Sequence, residues 1–276
     1  GTYRKKPGLV TPTLLKKNLE QSGSIAIYQK NSDTTIKWIC FDFDILKSNL
    51  EDTKIDKATA ELKQSTKQFC NSLDELNIPY LLEVSGNRGF HIWITFSEKV
   101  SYRIGYDIQQ AIIEKTDLHF NKQLIAIDLF PSNITPTDGV GLGVKIPLSK
   151  HKKSGQYSQL LSSIEEIDSY TPSEKLDTSL IHKNIKILNE HLSTTKSEIE
   201  SSLGIFFDLS HDETFYPTRI KSIKTNNDGF TLDDLANLWS HHTPLNFLNK
   251  KIHEENTLNN DERKLLVGIL GNLTCK

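Results

Sequence analysis

The chain has 276 residues, and its 35 acidic and 33 basic side chains leave a net charge of −2. A balance so close to neutral marks neither nucleic acid nor a membrane as a partner, so any partner must be argued from local patches. Three cysteines, Cys40, Cys70 and Cys275, lie far apart without CxxC spacing and support neither a disulfide framework nor a zinc knuckle.

A reducing cytoplasm fits that cysteine usage. No apolar run reaches the length of a membrane span, and no signal-peptide pattern opens the chain, so no membrane association is expected. The start at Gly1 and the lack of methionine point to a piece of a longer protein.

In chain order, Thr11 and Pro12 before TLLKKNL read as an N-cap and first-turn proline opening a short helix. SIAIYQ and TIKWICFDFDIL read as strands joined by the polar turn KNSDT. Helical spacing of apolar residues runs from Lys54 to Leu76, and NIPYLLEVS resumes as a strand. The glycine-bracketed turn GNRG leads into a further strand, FHIWITF. YDIQQAIIEKT is predicted helical, LIAIDLF is an apolar strand carrying one acid, and GVGLGVKIPL is a glycine-punctuated strand.

Beyond SSIEEIDSYTPSEK the pattern turns helical. Residues 177–203 are predicted as one long helix stopped at Gly204. TLDDLANLWS, with Thr231 and Asp234 placed as a capping box, and NDERKLLVGIL are expected to be further helices. The expected organisation is an α+β unit over residues 1–165 and a mainly helical accessory domain over residues 166–276.

Four features carry chemistry. In WICFDFDIL, strand alternation puts Ile39, Phe41, Phe43 and Ile45 on one face and Cys40, Asp42, Asp44 and Leu46 on the other. The two carboxylates then project the same way, roughly 6 to 7 Å apart at Cα. Like charges held that close repel, and a hard divalent cation relieves them. A strand end whose second face is wet explains the pair equally well.

In SGNRGFHIWI, Ser85, Arg88 and His91 gather around a turn suited to phosphate oxygens, or else form an ordinary hairpin. Asp128, ending an apolar strand, is either a third metal ligand or a cap of the following turn. In GLGVKIPLSKHKKSG, Lys145, Lys150, His151, Lys152 and Lys153 occur without an acid, as a polyphosphate site or a solvated basic face. Together these residues supply acids for metals and cations for phosphate, the equipment of metal-dependent nucleotidyl transfer.

FDFD, SGNRGFH and AID fall in the order and spacing of the three motifs of the archaeo-eukaryotic primase superfamily, and KIPLSKHKKSG resembles the basic segment after the third. IDLFPSN and GVGLGVKIPLSKHKKSG resemble its prim-pol branch, as found in CRISPR-associated primase-polymerases and related mobile-element primases. The likeness covers residues 10 to about 160. It implies an α+β, RRM-like catalytic core and a primase-polymerase that makes and extends primers by two-metal transfer from NTP or dNTP to a 3′-hydroxyl.

By that resemblance, Asp42, Asp44 and Asp128 are catalytic and bind two Mg2+ or Mn2+ ions. Ser85, Arg88, His91, Lys145, His151 and Lys153 bind the nucleotide. Lys145 stands where many relatives carry arginine, which keeps the charge but not the bidentate geometry. Implied partners are a single-stranded DNA template, a primer strand, and CRISPR adaptation or replication proteins. Two alternatives are a haloacid-dehalogenase-type phosphatase, although Ile45 and Leu46 stand where that family has a Gly-Thr-like pair, and a non-catalytic nucleic-acid-binding module.

Overall fold

The computed structural model describes residues 11–20, 24–31, 33–134 and 143–207. All of them belong to one of the two units into which the chain divides, Gly1–Phe215; the other, Tyr216–Lys276, lies outside them. The helices expected at TLDDLANLWS and NDERKLLVGIL therefore fall outside the described residues.

The centre is a five-stranded antiparallel sheet in the order β5-β2-β4-β3-β7, formed by β2 (Thr35–Ile45), β3 (Leu81–Val84), β4 (Gly89–Ser101), β5 (Ile125–Phe130) and β7 (Gln159–Leu161). Ile39, Phe41, Phe43 and Ile45 of β2 are buried on one face, as their alternation predicts. Against them lies α2 (Asp52–Glu75), whose Phe69 ring sits 4.7 Å from Phe41 and 5.4 Å from Phe43. Truncating a ring held this way to alanine costs roughly 3 to 5 kcal/mol.

α3 (Tyr102–Lys115) starts at Ser101, whose hydroxyl accepts from the Ile104 amide at 3.2 Å, and its Gln109 donates to the Cys40 carbonyl at 2.7 Å. Both helices thus cover the Phe41 face. The opposite face is apolar at one end only, where Cys40, Leu81, Trp93, Phe130, Val144 and Leu160 cluster.

A two-stranded antiparallel sheet joins β1 (Ala26–Tyr28) to β6 (Gly143–Lys145). Gln29, just past β1, donates to the Trp38 and Phe130 carbonyls at 2.7 and 2.9 Å and so ties this small sheet to the large one. α1 (Pro12–Glu20) opens as expected, with the Leu14 amide donating to the Thr11 hydroxyl at 3.2 Å.

The single helix expected over 177–203 is instead two, α5 (Thr178–Glu190) and α6 (Lys196–Leu203), after the short α4 (Glu166–Ser169). The break is tertiary in origin. Thr194 bridges to Phe96 of β4, and Thr195 starts a new helix through a capping box with Glu198. The stop at Gly204 is as read, with φ of +67° at the C-cap. The three-residue β7 was not foreseen.

Candidate active site

The antiparallel register sets four polar residues in one row across four strands: Asp128 of β5 faces Asp42 of β2, Asp42 faces His91 of β4, and His91 faces Glu83 of β3. Paired residues share a face, so all four lie opposite the helices. The next row along holds Asp44 of β2 opposite Gly89 of β4. A Cβ at position 89 would strike the Phe43 carbonyl and the Asp44 carboxylate, so only glycine permits the acid there.

Asp42, His91 and Glu83 of the row, and Asp44 beside it, feel their neighbours. Burial pushes the Asp42 carboxyl up to about 6; the nearby His91 pulls against it, while Asp44, Asp128 and Glu83 add repulsion. Burial raises Asp44 as well, against the pull of Arg88. Burial disfavours an imidazolium at His91, but Asp42 and Glu83 on either side outweigh it and raise its pKa. Burial opposes the charge on Glu83 too, and His91 and Lys145 overcome it, so this carboxyl stays below its ordinary range.

Lys145 is brought in by the pairing of β6 with β1, Lys145 opposite Ala26. Its ammonium donates to the Ser149 carbonyl at 3.3 Å; burial lowers its pKa while Glu83 and Asp42 support the charge. Ser85, which closes β3, is buried, and its amide donates to the Gly89 carbonyl at 2.9 Å.

A cleft of about 480 Å³ opens beside Asp44, lined by Lys47, Asn87, Arg88, His151 and Lys153 among others. Arg88 is fixed at its edge, donating from Nη1 to the Ile45 carbonyl at 2.6 Å and from Nη2 to Asp44 Oδ2 at 2.5 Å. The 85–89 turn is clamped to the basic loop, since Ser154 donates to the Gly86 carbonyl and Gly86 has φ of +76°. Burial depresses the His151 pKa, and Lys145, Lys153 and Arg88 depress it further, the signature of a crowded cationic site. Lys150 points elsewhere, over the Tyr157 ring.

Of the residues expected from sequence, Asp42, His91 and Asp128 share the row, with Asp44 in the next, and Arg88, His151 and Lys153 line the cleft; Ser85 and Lys145 lie outside both, and Lys150 points away. Glu83 and Lys47 were missed. An acid inside LLEVS, two residues before Ser85, was the available signal for Glu83; Lys47 carried none.

Among the described residues no group of three His, Cys, Asp or Glu side chains is preassembled to hold a metal ion. The donors nonetheless suit a hard cation. Asp42 Oδ1 is enclosed and lacks a hydrogen-bond partner, the Asp42 carboxylate is repelled by three other acids, Asp44, Asp128 and Glu83, and Asp128 stands directly across from it.

A row of repelling carboxylates thus lies beside a cationic cleft, on an antiparallel sheet backed by helices, an arrangement whose charges suit cations on one side and anions on the other. The model of the TOTE conflict system archaeo-eukaryotic primase domain matches residues 3–173. The chain belongs to that family, which is one of primases within the archaeo-eukaryotic superfamily, and the expected α+β primase fold is the one observed. The phosphatase alternative falls with that membership.

Among solved structures, the chain is similar to the AEP domain of the cyanophage S-2L primase-polymerase, at 12% identity and a TM-score of 0.25 over 65% of this chain and 77% of that one. No curated protein matches.

Proposed function

We propose that the chain is a template-dependent primase-polymerase core that transfers nucleotides from NTP or dNTP to a 3′-hydroxyl. The observation that carries this reading is the adjacency of the Asp128–Asp42–His91 row to the cleft holding Arg88, His151 and Lys153. Asp42, Asp44 and Asp128 hold two Mg2+ or Mn2+ ions, which on binding supply Lewis-acid activation of the hydroxyl and neutralise pyrophosphate charge.

The protein's own part is to position the triphosphate. Arg88 and Lys153 meet it from the cleft, His151 beside them gives a neutral donor, and His91 and Lys145 approach from the sheet. Ser85 offers a buried hydroxyl next to the turn. Template and primer strands are the macromolecular partners, and the pathway is replication, CRISPR adaptation or the conflict system for which the family is named.

Primer extension on a single-stranded DNA template, with NTP and dNTP sets and with Mg2+ or Mn2+, tests the reading. Metal-dependent extension that Asp42→Ala abolishes is the expected result. A protein that binds template yet extends nothing under any metal would be the non-catalytic module instead.

A further inference from the structure

Glu83 is the one fully buried carboxylate among the described residues, set between Leu82 and Val84 in a strand whose every residue is buried. A charge in such a place is tolerated only when firmly partnered. Its Oε2 accepts two hydrogen bonds, from His91 Nδ1 at 2.8 Å and from Trp93 Nε1 at 2.8 Å. The two rings stand edge to face, 5.7 Å apart at 88°, so one oxygen fixes both.

An ionised carboxylate only accepts, so the proton lies on Nδ1 and the ring cannot flip without losing that bond. Nε2 is left facing Asp42 Oδ1 at 3.6 Å, beyond hydrogen-bond range. It is therefore the ring atom that can meet another group on that face.

We propose that Glu83 is the positioning residue for His91: from the neighbouring strand it holds the Nδ1 proton and thereby turns Nε2 toward the substrate phosphates. What Nε2 meets rests on the nucleotidyl-transfer reading, whereas the hold on Nδ1 does not. Trp93 steadies the carboxylate, and the apolar cluster around Trp93 keeps water from competing for it.

The test combines nitrogen-15 NMR of the histidines with binding of a non-hydrolysable nucleoside triphosphate. Wild type should show a downfield, exchange-protected Nδ1 proton that His91→Asn removes. Glu83→Gln and Trp93→Phe keep that proton and bind nucleotide within about threefold of wild type, whereas Glu83→Leu loses it and binds about tenfold more weakly, the loss of one charge-assisted contact.

A proton retained in Glu83→Leu, or undiminished nucleotide binding by it, overturns the proposal. If Glu83→Leu does not fold, Glu83→Gln decides alone, because the weaker neutral acceptor must shift the proton upfield and an unmoved resonance overturns it. If wild type binds no nucleotide, the nucleotidyl-transfer reading fails, and the Nδ1 proton still decides whether Glu83 holds His91.

Discussion

Arg88, in the loop that joins β3 to β4, forms an ion pair with Asp44 of β2, Nη2 to Oδ2 at 2.5 Å, at the point where the carboxylate row meets the cationic cleft. The guanidinium occupies a carboxylate that a metal ion would also use, and the cleft it lines is where phosphate would draw it away. On the proposed function, Arg88 would compete with a cation for Asp44 until an anion drew it away.

Arg88→Ala should accordingly bind Mn2+ more tightly in the absence of nucleotide, by roughly three- to tenfold, the scale of a partly exposed ion pair. The same variant should bind triphosphate more weakly. Mn2+ titration followed by electron paramagnetic resonance checks the first effect, and an affinity unchanged or reduced would show that Asp44 is no cation ligand.

Asp42→Asn should stabilise the metal-free protein, increasingly so as pH rises. The Asp42 carboxyl stands at about 6 in the folded chain against 3.8 when unperturbed, so between those values the folded state holds a proton that the unfolded state has released. Stability therefore falls with rising pH across that window and stays low above it. The full effect is on the order of 2 to 3 kcal/mol at one pKa unit per 1.36 kcal/mol. Thermal melts should show the variant gaining several degrees at pH 7.5 and almost nothing at pH 4; an equal gain at both would mean that charge is not the cause.

Gly86 and Gly155 both have positive φ, near +76° and +74°, yet their substitutions should differ sharply. A Cβ at Gly155 meets nothing within 4 Å, so Gly155→Ala bears only the left-handed penalty of about 1 to 2 kcal/mol. At Gly86 the same atom would sit 2.9 Å from the Ser158 amide nitrogen and 3.0 Å from the Tyr157 carbonyl carbon, both backbone. Gly86→Ala should force the turn off the basic loop and cost nucleotide affinity as well as stability. Equal melting temperatures for the two variants would contradict this packing.

Much of this was legible in the sequence because the period of a strand is strict. Once Ile39, Phe41, Phe43 and Ile45 are read as core, Asp42 and Asp44 must share the other face, and they do. What escaped was set by tertiary pairing. Nothing local in STTKSE announces that Thr194 will bridge to Phe96, which is why one long helix was expected where two form. Glu83 reads as a lone acid in an apolar run until the register brings His91 beside it and Trp93 within reach. Lys47 follows β2 with no motif of its own and acquires meaning only from the cleft it lines.

That cleft yields the last prediction. Lys47, Arg88 and Lys153 line it on three separate segments, while the only acid lining it among the described residues, Asp44, is already paired with Arg88. The excess positive charge is thus supplied mainly by two exposed lysines, and its affinity for anions should scale with the charge offered. Lys47→Ala and Lys153→Ala should each weaken nucleoside triphosphate binding by roughly three- to tenfold, as expected for solvent-screened contacts. The loss should shrink for the diphosphate and vanish for the nucleoside. Added salt should erase most of the difference between variants and wild type, because screening removes the same attraction that the substitutions remove. Calorimetric titration at low and at physiological salt decides the matter. A loss of equal size for triphosphate and nucleoside would show that these lysines shape the cleft without meeting phosphate.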